Sequence, residues 1–235
     1  MGSLFLRSGG EQIPLGSFKL LEEIMLTIYG SDLSAPAIKV RLAASWMGIE
    51  HKWQPVNLRE GEQKKEWFLK INPVGKVPAI DDDGFHLFES NAICKYLASK
   101  HNSPLYPQDL KQRAAVDQWV DFISFHVNAH LATVVYSRVF GPRFGRPVNE
   151  QSLADALKFL DAQLPIIEKQ LSAHKHVVGE SITLADIVLF AMLEPVEMAN
   201  FSLSPYPRLG AWRQELKKQP FYTKCYKEYG EMLKK

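Results

Sequence analysis

"NPVGKVPAIDDDGFHLFESNAICKYL", Asn72 to Leu97, holds the two features that decide the fold. The apolar run Val77–Ile80 reads as a strand, yet proline stands at its second position. Proline cannot donate to a sheet ladder, so Pro78 belongs on an edge, at a bulge, or where something other than a strand lies alongside. The next run, Phe85–Phe88, is separated from the first by "DDDG", whose Asp83–Gly84 is a hairpin signal. It ends in Glu89 and Ser90, just where Ala92, Ile93, Tyr96 and Leu97 begin a helical spacing.

Upstream, "MLTIYG" (Met25–Gly30) is a short β-rich run, and "SAPAIKVRLAASWMG" reads as a helix. Ser34 is a favoured N-cap, Pro36 is tolerated in the first turn, and Gly48 closes the end. "HKWQPVNL" is a second strand, expected near an edge because of Pro55, and "EQKKEWFLKI" a short charged helix. The order β-α-β-α-β-β-α implies a parallel crossover pair extended by an antiparallel hairpin. Around Asn102–Pro107 the composition turns polar and proline-containing, as a linker would. From Gln108 onward only helical patterns occur. They run through "DLKQRAAVDQWVDFISFHVNAHLATVVYSRVF", a break at "GPRFGRPVN", and a largely apolar helix after Thr183. Thr183 and Asp186 are spaced as a capping-box variant. The expected layout is an α/β domain over 25–102 and an all-α domain over 108–235. Residues 1–24 fit neither a signal nor a transit peptide and are expected to be a poorly ordered extension, with Met25 an alternative start.

A chain of 235 residues can bury one large or two small cores, and 46% hydrophobic with 23% charged residues is ordinary for a soluble protein. The formal net charge of +2 is spread along the chain, which argues against nucleic acid. No apolar run reaches the ~20 residues that span a bilayer. Cys94 and Cys225 cannot make a disulfide framework, so a reducing, cytoplasmic compartment is expected.

Several of these stretches resemble the cytosolic glutathione transferases. "NPVGKVPAI" followed by "LFESNAICKYL" is similar to that family's glutathione-binding segment. "DLSAPAIKVR" resembles the serine-bearing loop of its theta, delta and phi classes, and "GESITLADI" its helix-capping motif. "YPQDLKQRAAVDQW" and "FGPRFGRP" look theta-like, "LREGEQKKEWF" phi-like. The resemblance runs from about Met25 to the C-terminus. It implies a thioredoxin-like domain followed by a helical one, a homodimer, and glutathione as co-substrate for a small electrophile. It also implies a cis Val77–Pro78 bond, with the Val77 backbone facing the cysteinyl unit of glutathione.

The resemblance makes Ser34 the catalytic residue. Its hydroxyl would hydrogen-bond the sulfur at a helix N-terminus, where the partial positive charge favours an anion. Glu89 and Ser90 would hold the γ-glutamyl end, since free N–H groups at a helix start suit a carboxylate. Lys76, Gln63 and Lys64 are candidates for the glycyl carboxylate, although Gln63 stands where a histidine is common in the family. Tyr29 is the rival to Ser34 and is read as packing. Arginine often follows the loop proline in related classes, whereas Ala37 and Ile38 stand here. Phe122, Phe125, His126, His130, Tyr136 and Phe140, on one long helix, are expected to border the acceptor pocket. His126 and His130 lack the neighbouring acid of a metal motif, so no metal is expected. Two alternatives remain at this point: a non-catalytic glutathione-binding module of the same fold, and a thiol transferase, which the absence of a loop cysteine disfavours.

Overall fold

The computed structural model describes residues 5–8, 11–14 and 26–225; Met25 and the last ten residues lie outside the described residues. The elements are β1 (Phe5–Ser8), β2 (Glu11–Pro14), β3 (Leu26–Gly30), α1 (Ala35–Trp46), β4 (Lys52–Pro55), a 3₁₀ turn (Glu62–Lys64), α2 (Glu66–Leu69), β5 (Ala79–Asp82), β6 (Phe85–Phe88) and α3 (Ser90–Lys100). The helical half follows as α4 (Leu110–Phe122), a π-helical turn (Ile123–Asn128), α5 (Ala129–Val135), a second π-helical turn (Tyr136–Phe140) and α6 (Gly141–Arg143). Then come α7 (Glu150–Ala173), α8 (Leu184–Met192), α9 (Pro207–Lys217) and α10 (Pro220–Thr223). Where a poorly ordered extension was expected, β1 and β2 pair antiparallel. Gly9–Gly10 separates them in sequence, a hairpin signal that the extension reading did not use.

The four-stranded sheet has the order β4-β3-β5-β6. β3 and β4 are parallel, while β5 is antiparallel to both β3 and β6. Pro55 ends the edge strand β4, and Pro78 stands just before β5, so neither costs the interior ladder a donor. The Val77–Pro78 peptide is cis.

One apolar core joins the halves. Ile28, Ile38, Leu42 and Ile80 belong to the same buried cluster as Val120, Ile187 and Phe190. α1 packs on both α3 and α8. The segment expected as a linker is anchored rather than loose: Leu105 is fully buried and its carbonyl accepts from Leu184 N–H at 2.8 Å. Among the described residues, no helix is long and apolar enough to cross a membrane.

Two of the buried charges bear on how the halves and the helix starts are held. Asp186 has no exposed surface, and its carboxylate accepts from Val177 N–H (3.0 Å), Thr183 N–H (2.9 Å), the Thr183 hydroxyl (3.1 Å) and Trp212 Nε1 (3.2 Å). It caps α8 and ties α9 and the preceding loop to it. Lys39, on α1, is only 3% exposed, and its ammonium donates to Asn91 Oδ1 on α3. Asn91 in turn donates to Ser124 Oγ at 2.9 Å, linking both to the helical half. Burial lowers the Lys39 pKa from 10.5 to about 8, with Cys94 and Glu89 opposing the shift.

Asp186→Ala should strand three N–H donors at roughly 1–3 kcal/mol each, so urea unfolding should show a loss of about 3 kcal/mol or more. An unchanged midpoint would refute this. Lys39 has the opposite sign. Below pH 8 both folded and unfolded chains hold its proton and the full burial cost is present. Between about pH 8 and 10.5 the unfolded chain binds the extra proton, so rising pH relieves the cost. That cost is about 3 kcal/mol at neutral pH, larger than the ~1 kcal/mol of one hydrogen bond. Lys39→Met should therefore raise stability at pH 7, with a gain that shrinks towards pH 10.5; urea titrations of both chains at several pH values would check it.

Candidate active site

The register of β5 assembles the site. Ala79 pairs with Tyr29 on one side and Phe88 on the other, so the residues before Ala79 lie between the loop leaving β3 and the start of α3. Gly30 pairs in parallel with Pro55, which brings the segment after β4 to the same end of the sheet. Four chain segments thus converge there: Ser31–Ser34, Val56–Lys64, Asn72–Val77 and Glu89–Asn91.

Ser34 is the N-cap of α1, with extended backbone (φ −108°, ψ 103°), and its Oγ accepts from Ala37 N–H at 3.3 Å. That leaves the hydroxyl proton free to point elsewhere. Glu89 precedes α3 with φ +67°, a conformation uncommon for a residue with a side chain, and caps no N–H of α3 with its carboxylate. Ser90 is the first residue of α3 rather than its cap. The charged Lys39 lies below this helix start through its bond to Asn91, the next residue.

The Asn72–Lys76 loop is pinned from both sides. Buried Asn72 donates to Lys76 O at 2.6 Å and accepts from Val74 N–H at 3.0 Å, while Lys64 Nζ donates to Val74 O at 3.1 Å. Gly75 has φ +62°, and a Cβ there would stand 2.8 Å from Gln63 O. Glycine is required for the 3₁₀ turn carrying Gln63 and Lys64 to sit on this loop. Gln63 Oε1 is buried without a hydrogen-bond partner among the described residues, so its amide has unused polar capacity. Lys76 is exposed, Val77 half-buried and Pro78 buried.

Beside this end of the sheet lies a cavity of about 820 Å³ between the two halves. Leu33, the neighbour of Ser34, lines it together with Trp53 and Leu58, and Tyr136, Phe140 and Phe144 face them from the helical half. Trp53 crosses over Gly30, where a Cβ would come within 2.3 Å of the indole. The Arg41 guanidinium lies 4.3 Å over the Trp53 ring and pairs with Asp32 at 2.6 Å, which fixes this wall.

Of the six residues expected at the acceptor pocket, Tyr136 and Phe140 line the cavity; the other four lie elsewhere. Phe122 stacks on His126 at 5.5 Å, His130 on Phe159 at 4.5 Å, and Phe125 is 72% exposed. A π-helical turn at Ile123–Asn128 lies between Phe122 and Tyr136 and alters the helical phase from which such a stripe is read. Sequence reading missed Trp53, Arg59, Arg143, Phe144 and Arg146. The stretches "HKWQPVNLRE" and "FGPRFGRP" were visible, but spacing alone does not bring them together. Tyr29 packs its ring 6.2 Å from Trp67 and 6.3 Å from Phe68. Burial, then Asp81, pushes its hydroxyl above the ordinary range, so it stays protonated within this aromatic packing. Cys94 is buried and its thiol is raised to about 11, again mainly by burial.

Comparison with known proteins places this geometry. Residues 33–100 match the glutathione S-transferase N-terminal domain and residues 119–220 the C-terminal domain. Mouse glutathione S-transferase theta-1 is 34% identical over 198 residues, covering 82% of each chain. A glutathione S-transferase-I solved with lactoylglutathione superposes with a TM-score of 0.79 at 28% identity, covering 85% of this chain and 97% of that one. A delta-class glutathione transferase from Nilaparvata lugens gives 0.77 at 32% identity, covering 89% and 98%. Matched in both halves and along most of its length, the chain belongs to the glutathione S-transferase family.

Proposed function

We propose that this protein conjugates the thiol of glutathione to small, largely apolar electrophiles, with Ser34 as the catalytic residue, and that it works as a cytoplasmic homodimer. One observation carries the reading: the Ser34 cap, the Val77–Pro78 turn and the start of α3 meet at one end of the sheet beside an apolar cavity.

Each residue then has a task that its chemistry suits. Ser34 donates its free proton to the sulfur, and the N-terminus of α1 adds positive potential, so the thiolate is favoured over the thiol. Val77 stands outside the strand ladder, and its backbone receives the cysteinyl unit as a short added strand. The uncapped N–H groups of α3 and the Ser90 hydroxyl hold the γ-glutamyl carboxylate, while exposed Glu89 accepts from the ammonium. Lys76 serves the glycyl carboxylate, as does Gln63 once its amide is turned so that Nε2 donates, and Lys64 braces the loop from which Lys76 projects. The cavity beyond Leu33 excludes water from the acceptor. Leu110 at 77% exposure and Phe125 at 72% give apolar surface for a second copy, and two-fold pairing is the commonest arrangement. Cys94 and Cys225 are unpaired, in keeping with a reducing compartment.

Ser34→Ala is the deciding experiment. A hydrogen bond to a charged acceptor contributes about 1.5–3 kcal/mol, and one pKa unit corresponds to ~1.4 kcal/mol. The variant should therefore raise the apparent pKa of the pH–rate profile by roughly one to two units, while glutathione affinity stays within about threefold. An unmoved pKa, with stability lower by about 1 kcal/mol, would reduce Ser34 to a helix cap. Light scattering at micromolar concentration should give twice the chain mass; a monomer mass would remove the dimer from the proposal.

A further inference from the structure

Three guanidinium groups line the cavity from two directions. Arg59 comes from the segment after β4, and Arg143 and Arg146 from α6 and the turn beyond it. None of them pairs with a carboxylate among the described residues; the Arg146 guanidinium donates to the Tyr136 hydroxyl, at 3.3 Å. The two acids on the same wall are already engaged. Asp32 is held by Arg41 at 2.6 Å, and Glu62 accepts from Asn57 N–H at 2.8 Å with Lys65 at 3.9 Å. The cavity therefore combines an apolar lining from Trp53, Tyr136 and Phe140 with three arginines that have no carboxylate partner among the described residues. Cations clustered at a partly enclosed apolar cavity focus potential towards it and recruit an anion. The fixed fork of arginine further suits a flat two-oxygen group.

We propose that the preferred acceptors carry a carboxylate on an apolar body, the carboxylate held by Arg59, Arg143 and Arg146 while the body lies against Trp53 and Phe140. This rests on the transferase reading for the reacting end only; the anion subsite stands on the cavity itself. The carboxylate is bound, not transformed. The electrophilic carbon takes the sulfur electron pair and releases its own leaving group.

The probe for the subsite is non-reactive. In fluorescence titrations without glutathione, 2-naphthoate should bind about tenfold more tightly than the neutral 2-naphthamide, the combined effect of three partly screened charge pairs. That preference should fall as salt rises and vanish in an R59Q/R143Q/R146Q variant. Equal binding of the two probes, or a preference that survives the triple substitution, would overturn the proposal. With glutathione present, 4-(bromomethyl)benzoate should then be turned over with higher kcat/KM than its methyl ester, and the ratio should fall to about one in the variant. Turnover of neither compound, with the naphthoate preference intact, would overturn the transferase reading and leave the anion subsite standing. Equal turnover of both by the unmodified enzyme would overturn the acceptor preference.

Discussion

The site depends on one constraint, the placement of β5 between two antiparallel neighbours. A strand paired on both sides has no freedom of register, because a slip of one residue would turn Ile80 out of the core and Asp81 into it. Ile80 is fully buried and opposite both Ile28 and Leu87, so the register is fixed by apolar surface. Once it is fixed, the residues before Ala79 must sit where β3 ends and α3 starts. The cis bond at Pro78, the Ser34 cap and the strained backbone of Glu89 are then neighbours by geometry. Precision here comes from sheet pairing, although every functional group stands in a loop or at a helix end.

The helical half serves that end of the sheet as a second wall. Its attachment is not a flexible hinge: buried Leu105 bonds to the first turn of α8, and α8 lies against α1. Asp186 holds α8, the Val177 loop and α9 as one block, and Trp212 completes the set with its indole N–H. Satisfied on all sides, such a carboxylate rigidifies what surrounds it. Lys39 is a different kind of buried charge. Among the described residues its ammonium donates to Asn91 alone and its pKa is lowered, so it weakens the fold near a helix start that no side chain caps. Charges retained at a cost tend to mark sites of function, and the partner of this one, Asn91, is the residue after Ser90.

Much of this was legible in the sequence because the relevant signals are local. Ser34 before an apolar helix, Asp83–Gly84 between two short runs, and Thr183 with Asp186 each announce an element boundary by chemistry that acts within a few residues. The sheet order followed from the crossover and hairpin rules. The acceptor wall was not legible, for two physical reasons. The long helix contains a π-helical turn at Ile123–Asn128, which no residue pattern marks and which alters the phase between Phe122 and Tyr136. The opposite wall is built from Trp53 and Arg59, far from that helix in sequence. Two walls meeting through tertiary packing leave no spacing to read. The hairpin of β1 and β2 was missed differently, since Gly9–Gly10 does signal a turn but four-residue strands give the alternation too little length.

The distribution of charge around the site ties these parts together. A formal net charge of +2 over 235 residues says almost nothing, yet positive potential is gathered where an anion would react. Part of it is backbone, at the N-termini of α1 and α3, and needs no ionisable side chain. Part is the buried ammonium of Lys39, and part is the arginine rim of the cavity. The first two lie in or near packed structure, where salt screens them weakly; the rim is exposed and is screened within about 10 Å at 0.1 M ionic strength. A thiolate held by Ser34 and the α1 dipole should thus depend little on ionic strength, whereas attraction of an acidic acceptor should depend on it strongly. On the proposed reading, the same fold would separate the persistent electrostatics that keep a nucleophile ionised from the adjustable electrostatics that select what it attacks.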